Sequence, residues 1–74
     1  MKYRYKLTYH LVGGETLVSE EVGEEKSDRY NMNLAMCALM DKKYAIEFVN
    51  DDSGIRGINM RNVLYVDLEI EEIL

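Results

Sequence analysis

Hydrophobic and polar positions alternate from the start of the chain. Tyr3, Tyr5, Leu7, Tyr9 and Leu11 fall on one face of an extended segment, and Lys2, Arg4, Lys6, Thr8 and His10 on the other. A period of two predicts a half-buried strand with the tyrosines on its core side. Gly13 and Gly14 follow, and both tolerate the positive φ angles of a two-residue hairpin turn, so "ETLVSEEV" is expected to return as a second strand. Folding there pairs Tyr9 with Val18, Tyr5 with Val22 and Lys6 with Glu21. That register sets aromatic against β-branched side chains on one face and opposite charges on the other, at the cost of Glu20 opposite Leu7.

"GEEKSD" reads as a polar connection in which Ser27 or Asp28 can cap the helix expected over "RYNMNLAMCALMDKK". Within it, "LAMCALM" has seven consecutive residues without a polar group, so apolar side chains surround the axis. Tyr30, Leu34, Cys37 and Ala38 define one arc, and Met32, Met36, Leu39 and Met40 a nearly opposite one. One sheet covers one arc. The expectation is that Leu34, Cys37 and Ala38 pack on the sheet, while Met32, Met36, Leu39 and Met40 meet a second copy or another protein, methionine being suited to adaptable contacts. The reverse assignment, or a C-terminal "EEIL" folded over the exposed arc, stays open.

"YAIEFV" alternates again, with Tyr44, Ile46 and Phe48 against Ala45, Glu47 and Val49. It is followed by the turn-rich "NDDSG" and a short strand "IRGIN". After a break near "MRN", the last strand "VLYVDLEI" places Leu64, Val66, Leu68 and Ile70 on one face and Val63, Tyr65, Asp67 and Glu69 on the other. The predicted architecture is a single α+β domain over residues 1–74, ββαβββ, with an antiparallel sheet of four to five strands and one helix packed on one face.

Composition narrows the function classes. The 74 residues are 47% hydrophobic and 31% charged, as in a folded domain, and carry a net charge of -5. A domain of this size buries only about 60% of its unfolded surface, and small scaffolds compensate with disulfides, a metal or oligomerisation. One cysteine excludes an internal disulfide, and one Cys with one His cannot build a tetrahedral zinc cage. No cofactor is implied, and association is the remaining option. The apolar runs fall far short of a bilayer span and the alternating N-terminus is no signal core, so a cytoplasmic protein without membrane contact is expected. The acidic balance argues against nucleic acid as a default partner.

The chemistry-bearing residues do not compose a catalytic set. Cys37 and His10 meet only if the His10 side of the first strand faces the helix, whereas the tyrosine side is the better core face. Asp51 and Asp52 lack the alternating ligands of a calcium loop and suit a tight turn. Gly13-Gly14 lies between two strands, not before a helix that would complete a phosphate cradle. The first expectation is therefore a non-enzymatic protein-interaction module, homodimeric through its helix. Its acidic surface of Glu20, Glu21, Glu24, Glu25 and Asp28 either keeps it soluble or docks on a basic groove. The alternative is a small-ligand or nucleic-acid module using Lys2, Arg4, Lys6 and His10 with Arg56, although the tyrosines needed for stacking point the other way.

The segment "IEFVNDDSGIRGINMRNVLYVDLE" with the N-terminal "YKLTYHLVGGE" hairpin resembles a recurring class of small proteins encoded by phages and prophages of Gram-positive bacteria. They share a hairpin, a helix, a strand ending in Asp or Asn and Gly, and a final strand of the "NVLYVDL" type. The resemblance implies a setting in which small acidic proteins inhibit host enzymes or antiphage systems, and it assigns no functional residue.

Overall fold

β1 (Tyr3–Leu11) forms the centre of an antiparallel three-stranded sheet, with β2 (Thr16–Gly23) on one side and β5 (Val63–Glu72) on the other. The structure is a computed structural model that describes residues 1–50 and 53–74. α1 (Arg29–Met40) follows β2. β3 (Tyr44–Val49) and β4 (Gly54–Asn59) then pair as a separate two-stranded antiparallel sheet, and a 3-10 turn at Met60–Asn62 leads into β5. The class is α+β, but the expected single sheet of four to five strands divides into three and two. The cause is how β5 returns. The Met60 N–H bonds to the Lys43 carbonyl at 3.0 Å and the Val12 N–H to the Asn62 carbonyl at 2.9 Å. These bonds tie the ends of the β3–β4 hairpin to one end of β1, so its Ala45 and Ile58 lie on Tyr9, with Met60 completing the core. The hairpin becomes a second layer over the tyrosine face instead of an extension of the sheet.

The first hairpin closes differently from the two-residue turn expected at Gly13-Gly14. Tyr9 pairs with Leu17, Tyr5 with Glu21 and Lys6 with Glu20. The Gly14 N–H bonds to the Leu11 carbonyl at 3.0 Å and the Leu11 N–H to the Glu15 carbonyl at 2.9 Å, with Gly14 at φ 89°. This is a three-residue loop whose last residue takes the left-handed conformation. It shifts the register by one, which exchanges the two faces of β2. Leu17 and Ser19 turn toward the core, and Val18, Glu20 and Val22 turn outward. Lys6 gains Glu20 as its direct cross-strand partner, and the conflict between Glu20 and Leu7 disappears.

α1 starts at Asp28, whose carboxylate accepts the Asn31 N–H at 2.8 Å. The Tyr5 hydroxyl reaches up from the sheet, accepts the Ser27 N–H at 2.9 Å and donates to the Glu25 carbonyl, which fixes where the helix begins. In that setting Met32, Met36 and Leu39, spaced i, i+4 and i+7, turn toward the sheet and are half-buried, while Leu34, Cys37 and Ala38 are exposed. The expected arc assignment is thus reversed for all of these. Long side chains bridge the gap to a sheet that the short Cys37 and Ala38 would leave open. The "EEIL" terminus does not cover the helix. The Ile73 N–H bonds to the Lys2 carbonyl at 2.9 Å and the Lys2 N–H to the Leu74 carbonyl at 3.2 Å, which continues the β1–β5 pairing.

β5 carries one irregularity. His10 pairs with Tyr65 but Leu11 with Val63, so Leu64 is the extra residue of a bulge. Val63 packs against the core and Leu64 is exposed, the opposite of the alternation predicted for that end of the strand. From Val66 onward the prediction holds, with Val66, Leu68 and Ile70 half-buried.

The molecule keeps much of its surface. A monomer of 8.6 kDa is expected to expose about 4,700 Å², and this chain exposes 5748 Å². The radius of gyration, 12.7 Å, likewise exceeds the about 11 Å of a compact chain of this length. Among the described residues only Tyr9, Ala45, Ile58 and Met60 form the buried hydrophobic core.

The hairpin geometry is directly testable. Gly14→Ala forces a side chain into the left-handed region and is expected to lower stability by about 1–2 kcal/mol. Gly13→Ala, at ordinary φ and with open space around its Cβ, changes it little. Urea denaturation of the two variants compares them, and equal losses would exclude the three-residue loop.

Candidate interaction site

Strand periodicity makes β3 two-sided, and one residue decides which side is inward. Glu47 faces the main sheet. Its Oε1 accepts the Tyr9 hydroxyl and its Oε2 accepts the Ser19 hydroxyl at 2.7 Å. Tyr9 is completely buried, so its hydroxyl requires a partner, and the carboxylate supplies one from the second sheet. With Ala45 and Glu47 held inward, Tyr44, Ile46 and Phe48 must point out.

The outer face of the hairpin is accordingly apolar and uncovered. Tyr44 is 66% exposed, Ile46 63%, Phe48 65% and Ile55 69%. Phe48 stands directly opposite Ile55, Ile46 opposite Gly57 and Tyr44 opposite Asn59. None of these six positions is charged, in a chain where 31% of residues are. Gly57 contributes no side chain, and a Cβ built there meets nothing within 4 Å, so the face carries a shallow gap between bulky neighbours. Phe48 also borders a mainly polar groove, in which Val18 and Val22, the two valines that the register of β2 turns outward, stand beside Glu20, Glu21 and Arg56.

The residues singled out from sequence are distributed differently. Met32, Met36 and Leu39 line the space between helix and sheet and do not form an outer face, while Met40 is exposed on the side of Cys37. The acidic group is divided. Glu20 lies on the outer face of the main sheet, 3.6 Å from Arg4. Glu21, Glu24 and Glu25 surround the Tyr5 end of the sheet, and Asp28 is occupied as the helix cap. The basic row is flanked by acids on both neighbouring strands. Arg4 also lies 3.7 Å from Glu71, Lys6 pairs across to Glu20 and Glu69, and His10 contacts Asp67 at 2.9 Å while stacking on Tyr65 at 4.0 Å. Lys2 sits at the strand end, and Arg56 belongs to the other sheet, opposite Glu47. His10 is on the outer face of the sheet and Cys37 on the helix over the inner face, so they do not meet. Asp51 and Asp52 lie outside the described residues.

Between α1 and the sheet runs a cleft of about 340 Å³, walled by Leu7, Met32, Met36, Leu39 and Leu68, with Tyr5 and Glu47 contributing polar atoms. No helix residue is fully buried, which leaves this layer loosely filled. Among the described residues no group of three or more His, Cys, Asp or Glu is placed to hold a metal ion, and no helix is long and apolar enough to cross a membrane. Comparison with protein-family models, curated proteins and solved structures finds no match.

The residues that sequence reasoning missed are Glu47 and the outward set Tyr44, Ile46, Phe48 and Ile55. The available signal was in "YAIEFV", where the charged residue shares its face with the small alanine and the bulky residues share the other. Only the contacts of Tyr9 and Ser19 determine that the face with the charge is the inward one.

Burial, reinforced by the hydrogen bond to Glu47 and its negative charge, pushes the Tyr9 phenol far above its ordinary value. The neutral phenol is thereby favoured in the folded state, while the unfolded chain ionises it near pH 10. This contribution to stability is fully present below about pH 10 and is lost as pH rises beyond it. Tyr9→Phe is expected to cost about 1–3 kcal/mol near neutrality, since it removes a donor from a partly buried carboxylate, and to make the alkaline loss of stability less steep. Urea midpoints measured from neutral to strongly alkaline pH test both effects, and an unchanged alkaline slope would contradict them.

Proposed function

We propose that this protein is a non-enzymatic interaction module that works by binding protein through the outer face of its β3–β4 hairpin. The observation that carries the reading is the set Tyr44, Ile46, Phe48 and Ile55, four large apolar side chains each at least 63% exposed on one uncharged face. Monomeric proteins scatter exposed apolar residues singly, and contiguous patches mark contact surfaces. Aromatic residues are enriched in such contacts and charged ones are depleted from their centres.

In the setting implied by the phage-type pattern of the sequence, the target is a host or defence protein and binding occludes it. The form of that reading in which Glu20 to Asp28 make the contact has less support, because Glu20 is engaged with Arg4 and Asp28 with the helix N-terminus. A nucleic-acid reading through Arg4, Lys6 and His10 requires those groups to exchange their acidic neighbours for phosphates. The helix–sheet cleft favours a second reading, a small apolar ligand held between Met36 and Leu68, since its volume falls within the range of ligand pockets.

Immobilised wild-type protein and Ile46→Lys, each exposed to extract of the source cells, separate these readings. Proteins retained by the wild type, further copies of its own chain included, are expected to be lost from the variant while circular dichroism shows the same fold. Equal retention by both would remove the hairpin face as the working surface.

A further inference from the structure

We propose that the occupant of the β3–β4 outer face is a second copy of this chain, joined through a two-fold interface with Phe48 of each copy seated over Gly57 of the other. This rests on the reading of that face as a protein-binding surface and names its partner.

Three observations select a second copy. The first is area. The surface exceeds that expected of a monomer of this mass by about 1,000 Å², and a stable protein–protein contact removes about 800 Å² from each partner. The excess is of the size that one such contact removes from each partner.

The second is charge. Two copies each carrying -5 repel, and least where neither contact face is charged. The six outward positions of the hairpin form such a region, whereas the outer face of the main sheet carries Glu20, Asp67, Glu69 and Glu71. A basic partner would be drawn to those acids and would find nothing to read on the hairpin. An uncharged apolar face is matched by an equally uncharged one.

The third is shape. In a two-fold contact each residue that fits a site on the partner is repaid by the reciprocal contact. The face has both parts of such a fit, since Gly57 leaves a gap beside bulky, exposed Phe48 and Ile46. A glycine on a strand face also marks a place where another chain can approach closely. The hairpin needs this cover, because a two-stranded sheet has marginal stability alone and here is backed on only one side.

The test is the solution mass of the full chain by sedimentation and light scattering over the micromolar range. The wild type is expected at twice the chain mass. Phe48→Asp and Ile55→Arg are expected at the single-chain mass with unchanged circular dichroism, since both side chains are exposed and neither supports the core. Gly57→Leu, which fills the gap, is expected to weaken association, and Leu34→Lys on the exposed helix arc to leave the dimer intact. Hydrogen exchange supplies a readout independent of any variant: amides of β3 and β4 in the wild type are expected to slow as concentration rises. A wild type at the single-chain mass throughout overturns the proposal, as does a dimer that survives Phe48→Asp and Ile55→Arg but is broken by Leu34→Lys. If the monomeric wild type still retains another protein that Phe48→Asp loses, self-association fails while the hairpin remains a docking surface. If retention is also unaffected, both readings fall.

Discussion

The carboxylate of Glu47, taking hydroxyls from Tyr9 on β1 and Ser19 on β2, joins two sheets that exchange no ladder hydrogen bonds with each other. The assignment of inner and outer faces on the hairpin follows from this junction. A buried tyrosine hydroxyl must be satisfied, and a carboxylate removed from water must find donors. The two demands meet in one cluster, with each group supplying what the other lacks. Because alternate strand residues point to opposite faces, holding Glu47 inward commits Tyr44, Ile46 and Phe48 to the outside. The polar junction inside and the apolar face outside are two consequences of the same period.

The first hairpin participates in that constraint. Ser19 reaches Glu47 only in the register set by the three-residue loop ending at Gly14, because the two-residue turn would present Val18 to the core and send Ser19 to solvent. The one-residue difference also delivers Leu17 to the Tyr9 cluster and Glu20 to the cross-strand position of Lys6. Local loop geometry, the core and the junction all favour the same register. The outward turn of Val18 and Val22 is its counterpart on the other face.

Sequence periodicity revealed the elements well and their relations less well. The alternation of Tyr3 to Leu11, the helix with a cap at Asp28 and the last strand from Val66 onward are properties of a few adjacent residues, so the sequence displays them directly. The register of β2 depended on whether the loop held the two glycines alone or Val12 with them, and glycine suits either. The division into two sheets depended on hydrogen bonds from Met60 to Lys43 and from Val12 to Asn62, which join residues remote in the chain. The helix phase was ambiguous because "LAMCALM" has no polar residue to mark an outer side. It was resolved by Tyr5, a sheet residue that pins the connection before the cap. The outward face of the hairpin was obscured for a similar reason: hydrophobic patterning identifies two faces of β3 but assumes that the larger residues go inside, and the Tyr9 hydroxyl reverses that choice.

That reversal changes how the small size of the chain should be understood. A domain of 74 residues can place its bulky residues in one thick core or divide them between a thin core and a contact surface. Here the buried cluster is small, the helix rests over a partly open cleft, and four large side chains occupy the outside of a hairpin. Filling the interior with Ile46 and Phe48 would require turning Glu47 to solvent, which leaves the Tyr9 hydroxyl buried without an acceptor at a cost of about 1–3 kcal/mol. The Glu47 junction therefore opposes the arrangement that would make a better monomer. A fold that keeps its apolar side chains outside in this way gains stability when the face is covered, so association and folding of this chain are expected to be thermodynamically linked.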